Sequence, residues 1–158
     1  EPAQAALLAG IIGPISLASR IVTGILLDRF SASLIAAVAF ALPIVSCFLL
    51  RGFDGDPLVA GIAIAFTAIA AGTEVDLMAY LASRYFGMRS FGAIYGCIFS
   101  CHTILWATMP GLAGKIFDQT GSYDSALLLF AAMLGGGVIL AATFGRYPKF
   151  DTLQPSTD

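Results

Sequence analysis

The chain has 158 residues, of which 58% are hydrophobic and only 11% are charged, and its mean hydropathy is +0.89. A soluble domain carries about 25% charged residues, so the composition excludes an ordinary water-soluble protein. The net charge of −2 and the single histidine provide no basic patch, and we expect no DNA or RNA partner.

The charged residues fall in short clusters that separate five apolar stretches. Each stretch is about long enough to cross a bilayer, which takes about 20 residues in a helix. Helices satisfy their own backbone hydrogen bonds in hydrocarbon, and the alternating pattern of barrel strands is absent. We therefore predict an all-α membrane protein whose helices span about 4–27, 32–50, 57–82, 91–113 and 124–145.

The basic residues predict the orientation of these spans. If the N-terminus lies outside, the outer loops hold only two basic residues, and the inner loops and tail hold Arg29, Arg84, Arg89, Arg146 and Lys149. Cytoplasmic loops carry the excess of Lys and Arg, so we expect a cytoplasmic C-terminus, with a tail at 148–158. The chain begins EPAQAALLAG, without a Met or a basic leader, and we expect it to be a piece of a longer protein.

Arg20 lies inside the first predicted span. At 100° per residue, its face of the helix carries small and polar residues such as Ser16, Thr23 and Gly24. A cation in a membrane span is costly unless it is paired or faces water, and Asp28 lies about 12 Å further along the helix. Arg20 is therefore either part of a buried ion pair with another helix or a cation that faces a substrate.

Glu74 and Asp76 lie well inside the third predicted span. Two residues on a helix differ by about 200°, so these carboxylates cannot form a paired acid dyad. One could pair with Arg84 or with the loop at 28–29 and latch that end, while the other meets Arg20 or carries a proton. The alternative is that both form salt bridges in packing and gating.

His102 lies near the middle of the fourth predicted span, on a face with Tyr95 and Trp106. The small residues of that helix, Gly92 and Gly96 among them, cluster on a different side, where a neighbouring helix could approach closely. His102 is therefore either a hydrogen-bonded core residue or a side chain that faces a cavity. No metal-ligand motif is present, and we expect no metal, no cofactor and no enzymatic activity.

Two groups of residues carry a resemblance to a known family. Arg20, Gly24 and Asp28, closed by Arg29 and Phe30, resemble the eighth helix and following loop of major facilitator superfamily transporters. The segments GTEVDLMAYLASRYFGMRSFGAIYG and MPGLAGKIFDQTGSYDSAL are similar to the tenth to twelfth helices of bacterial monocarboxylate and oxalate/formate carriers. The resemblance implies that residues 1–147 are helices eight to twelve, part of a C-terminal six-helix bundle that lacks its N-terminal helices.

The resemblance also implies roles for the charged residues. Arg20 matches an arginine that binds the substrate carboxylate, and YGCIFSCH places His102 where a related carrier has an anion-binding lysine. The implied function is secondary active transport of a small mono- or dicarboxylate by alternating access, proton-coupled or by exchange. Proton coupling or gating would involve the remaining charged candidates, Glu74, Asp76, Asp28, Arg29 and Arg84.

The implied location is the inner membrane of a bacterium, with the lipid bilayer and the missing helices as partners. Two alternatives remain open. The chain could be a fragment that does not transport or a membrane interaction subunit. It could also be an intramembrane enzyme that uses His102 with Glu74 or Asp76.

Overall fold

Five long helices make up the described part of the chain. The computed structural model describes the backbone of residues 2–51, 53 and 55–143, and the side chains from Gly10 onward. The predicted tail at 148–158, together with Arg146 and Lys149, lies outside these residues. The prediction of an all-α membrane protein is confirmed by the five helices, which are α1 (Pro2–Arg29), α2 (Ala32–Arg51), α3 (Pro57–Phe86), α4 (Phe91–Thr120) and α5 (Asp124–Ala142).

Capping residues set the helix ends, and the apolar composition of the helices suits a membrane. The Asp56 carboxylate caps α3 by accepting a 2.9 Å hydrogen bond from the Leu58 N–H, and Pro57 occupies the first helical turn. Gly121 ends α4 in the left-handed conformation, with φ of 69°. All five helices are long and apolar enough to cross a membrane, so the chain is an integral, multi-pass membrane protein.

α3 lies at the centre of the arrangement. It packs against α1 on one side and α2 on another, and α2 packs in turn against α5. α4 makes fewer contacts with α3 and α5, and none of its residues is buried. The consecutive helices α1 and α2 touch little, so α1 is held in place mainly by α3.

The contact between α1 and α3 is close because α3 has a glycine at the crossing point. A Cβ atom at Gly72 would overlap the Ser16 carbonyl oxygen and the Ser19 hydroxyl. Further along, the hydroxyls of Thr23 and Thr73 form a buried 2.9 Å hydrogen bond between the two helices. Small residues and interhelical hydrogen bonds are the usual means of helix association in lipid, where no hydrophobic driving force acts.

α2 is joined to its neighbours in a similar way. The Ser46 hydroxyl donates a 2.9 Å hydrogen bond to the Ala63 carbonyl of α3. A Cβ at Gly137 of α5 would lie 3.6 Å from the Phe40 ring, so α5 and α2 are in van der Waals contact there. An apolar cluster closes one end of the bundle and contains Leu27, Ala32, Ile35, Ala36, Leu77 and Ala141.

The small-residue face of α4 has no neighbour in the described part of the chain. A Cβ at Gly92, Gly96 or Gly114 would meet no atom within 4 Å. The sequence indicated a face that a neighbouring helix could approach closely. Among the described helices that contact is not made, and α4 leaves the face uncovered.

We expect Gly72→Ala to weaken the bundle, because its methyl group can be accommodated only if α1 moves away from α3. Overpacking of this kind costs about 1–3 kcal/mol of unfolding free energy. The measurement is the free energy of reversible unfolding in mixed detergent micelles. The matched control is Gly96→Ala, which adds the same methyl group to an open helix face. Equal stability of the two variants would contradict the prediction.

Candidate functional site

The contact between α1 and α3 places two charged residues at one depth in the membrane. The two helices run parallel, because α2 reverses the chain between them and Thr23 meets Thr73 further along than Ser19 meets Gly72. Arg20 lies next to the first contact and Glu74 next to the second. The two residues are therefore level to within about one helical turn, which is about 5 Å.

Arg20 is exposed, although it belongs to a membrane-spanning segment. The apolar span of α1 covers Gly10–Arg29, so Arg20 lies near its middle. Its side chain makes no ion pair with another described residue. The buried ion pair that the sequence left open is thus not formed among the described helices. The guanidinium needs an anion or water from elsewhere, because a cation is costly at this depth.

His102 and Glu74 bring α4 to the same level. The His102 Nε2 atom lies 3.2 Å from the Glu74 Oε1 atom, with side chains that are 20% and 32% exposed. Nε2 itself is buried and makes no aligned hydrogen bond with a described residue. The contact is therefore short and electrostatic, and its strength depends on whether the imidazole carries a proton.

An aromatic row leads along α4 to His102. The rings of Phe91 and Tyr95 stack with centroids 5.4 Å apart, and those of Tyr95 and Phe99 are 5.8 Å apart. The Phe99 ring lies 6.0 Å from the imidazole. These contacts follow the spacing of three or four residues that brings side chains together on one helix face. The Phe99 ring therefore lies beside the imidazole on the same face of α4.

The other charged candidates, except Asp76, lie away from the level of Arg20, Glu74 and His102. Asp28 and Arg29 are exposed at the end of α1, eight and nine residues beyond Arg20. The Arg84 guanidinium lies 5.2 Å from the centre of the Tyr80 ring, in the last turn of α3, at the same end of the bundle. Asp76 is half-buried one turn from that cation–π contact and makes no ion pair with a described residue.

The structure thus places Arg20, Glu74 and His102 in one layer and Asp28, Arg29 and Arg84 at one end. In the described ranges, no group of three metal-binding side chains occurs. A guanidinium and an imidazole on separate helices can bind anions, and the carboxylate beside the imidazole can exchange a proton with it. This arrangement is suited to binding an anion and to exchanging a proton between Glu74 and His102.

Sequence reasoning missed the residues that set this geometry. It placed Thr23 on the small and polar face of α1 without a partner, and it did not single out Gly72 or Thr73. The signal available was the run of small residues AAGT at 70–73, which is typical of a close helix contact in lipid. The pairing of Glu74 with His102 had no local signal.

We expect Glu74 and His102 to be energetically coupled. Residues in direct contact commonly show coupling of at least about 0.5 kcal/mol in a double-mutant cycle. The cycle uses Glu74→Gln, His102→Gln and the double variant, with unfolding free energy in mixed micelles as the measurement. The control cycle pairs Asp76→Asn with His102→Gln, since Asp76 makes no ion pair with a described residue. Additive effects in the first cycle would show that the contact contributes nothing.

Comparison with known proteins gives one consistent likeness. The chain is 27% identical over 150 residues to monocarboxylate transporter 12 of Rattus norvegicus and of Mus musculus, an alignment that covers 87% of this chain. It is 28% identical over 151 residues, or 92% of its length, to monocarboxylate transporter 12 of Homo sapiens. No family model and no solved structure matches it. The chain spans about 29% of the length of these relatives, and what it resembles is that part of a transporter.

Proposed function

We propose that the chain is the C-terminal part of a secondary carrier for a small organic anion, a mono- or dicarboxylate. The likeness to monocarboxylate transporter 12 supports a transporter role. The observation that carries the anion assignment is Arg20, which is exposed near the middle of a span without an ion-pair partner among the described residues. Its planar group presents two parallel donors, which match the two oxygens of a carboxylate.

His102 supplies the second contact in this proposal. It lies on α4, away from Arg20 on α1, so the two side chains could contact the two ends of a dicarboxylate. In the structure the imidazole is engaged by Glu74, at 3.2 Å. An incoming carboxylate would compete with Glu74 for the imidazolium. Protonation of Glu74 would remove that competition, and proton uptake would then favour anion binding.

The charged residues at the end of α1 and α3 are proposed to act as a gate. Asp28 and Arg29 are exposed there, and Arg84 lies on the Tyr80 ring at the same end. They are at least about 12 Å along the helices from the level of Arg20, too far to contact the same small anion. The cytoplasmic position of this end, the cytoplasmic C-terminus and the bacterial inner membrane remain predictions from the sequence.

Alternating access requires a second wall for the substrate site. Carriers of this kind move one helical repeat against another around a site at mid-membrane. α4 has no buried residue, and the small residues of one face meet no other described helix. We propose that the remaining helices of the carrier pack on α4 and face Arg20. The chain alone would not transport.

We expect Arg20→Lys to reduce carboxylate uptake by at least about tenfold in the complete carrier, because lysine keeps the charge but loses the bidentate fork. The measurement is uptake of a labelled monocarboxylate and dicarboxylate into proteoliposomes, normalised to inserted protein. The matched control is Arg51→Lys, at the exposed end of α2. Normal uptake by Arg20→Lys, with lower abundance of Arg20→Ala, would show that the arginine is structural.

We expect His102→Lys to extend anion binding to higher pH. An imidazolium gives up its proton at lower pH than a lysine ammonium does. Affinity of the parent carrier for a dicarboxylate should therefore weaken as pH rises, and affinity of the variant should persist to higher pH. Binding is measured by calorimetry across pH, with a monocarboxylate as the comparison ligand. Identical pH profiles of parent and variant would remove His102 from the site and leave Arg20 as its anchor.

A further inference from the structure

An apolar groove runs between α1 and α2, with α3 as its floor. Its volume is about 490 Å³. We call it the α1–α2 groove. It exists because α1 and α2 both pack on α3 but touch each other little. Representative lining residues are Ile15, Val22 and Leu26 on α1, Val38 and Leu42 on α2, and Ile69 on α3.

The polar atoms of the α1–α2 groove already have partners. The Ser19 hydroxyl donates a 2.8 Å hydrogen bond to the Ser16 carbonyl, and the hydroxyls of Thr23 and Thr73 bond to each other. What the groove presents is hydrocarbon. It therefore suits an aliphatic chain and does not suit a carboxylate substrate.

The groove is separate from the proposed anion site. At 100° per residue, its α1 wall, from Ile15 through Val22 to Phe30, occupies one side of the helix, and Arg20 lies outside that arc. The contact of Ser19 and Thr23 with α3 lies between the two. A ligand in the groove would therefore not touch Arg20.

The groove is long enough to hold one acyl chain. Its α1 wall runs from Ile15 to Phe30, which is about 22 Å at 1.5 Å per residue. Half of the hydrocarbon core of a bilayer is about 15 Å thick. An acyl chain from one leaflet can therefore lie in the groove over its whole length. The groove lies entirely within the membrane-spanning parts of the helices and their junction.

A cation lies at one end of the groove. Arg29 follows Leu26 by three residues and Val22 by seven, so it continues the groove face of α1, whereas Asp28 lies on the other side of the helix. Arg29 is exposed and makes no ion pair with a described residue. Basic residues at a membrane surface attract anionic lipid headgroups.

We propose that the α1–α2 groove holds one acyl chain of an anionic phospholipid whose phosphate is bound by Arg29. The apolar lining favours an acyl chain, and Arg29 on the groove face favours an anionic headgroup. The lipid would fill the space that α1 and α2 leave between them. This site shares no contact with the proposed anion contacts Arg20 and His102, although it uses Arg29 of the proposed gate.

The test is tryptophan quenching by brominated lipids in the complete protein, with Trp106 and any tryptophan outside this chain replaced by Phe. A single tryptophan is introduced as Val22→Trp, which reports on the groove. The matched control is Ile21→Trp, at nearly the same depth on the lipid-exposed side of α1 outside the groove. Val38→Trp on the α2 wall is a second groove probe in case Val22→Trp does not fold.

The vesicles contain a minor fraction of brominated phosphatidylglycerol or, in parallel, of brominated phosphatidylcholine. We expect the anionic lipid to be enriched about fivefold over the zwitterionic one at the groove probe, the effect of one surface cation. The two lipids should quench Ile21→Trp alike. Arg29→Gln should abolish the preference at the groove, whereas Arg51→Gln should leave it.

Two results would overturn the proposal. Equal quenching by both lipids at the groove and control probes would mean that the groove has no lipid preference. Protection of the groove probes from every brominated lipid would mean that a protein segment, either from the rest of the carrier or from a second copy, occupies the groove. Neither result would affect the anion site, because uptake in the Arg20→Lys variant tests it separately.

Discussion

The close approach of α1 to α3 is the contact on which the rest of the structure depends. Gly72 admits the backbone of Ser16 and the hydroxyl of Ser19, and the bond between Thr23 and Thr73 fixes the register of the two helices. This register brings Arg20 level with Glu74. The same contact draws α1 onto α3 and away from α2, so it also leaves the α1–α2 groove open.

The charged residues inside the membrane differ in whether they have a partner. Glu74 and His102 lie 3.2 Å apart and can partly compensate each other without a ligand. Arg20 has no such partner among the described residues, so it pays the larger cost of being in hydrocarbon. In the proposed carrier, a substrate anion would relieve the larger cost. Arg20 would then be the stronger anchor, and His102 would be the contact that depends on protonation.

The sequence could predict the helices, because they follow from the length and composition of the apolar stretches. Apolar stretches long enough to span a bilayer predicted the five helices that the structure shows. That Arg20 faces away from lipid stays a prediction. The contact of Glu74 with His102 could not be predicted, because it depends on which helices are neighbours around α3. Gly72 could not be separated from 16 other glycines without that knowledge. The groove was also hidden, since consecutive helices usually pack side by side.

The unequal packing of α1 bears on how the bundle can move. α1 is tied to α3 by a close backbone contact and a buried hydrogen bond, whereas its boundary with α2 contains the apolar groove. A tilt of α1 about its contact with α3 would therefore break few contacts with α2. Arg20 and Glu74 would keep their common level during such a motion, while the width of the groove would change. An acyl chain in the groove fits one width better than another, so the surrounding lipid would favour one position of α1 over the other.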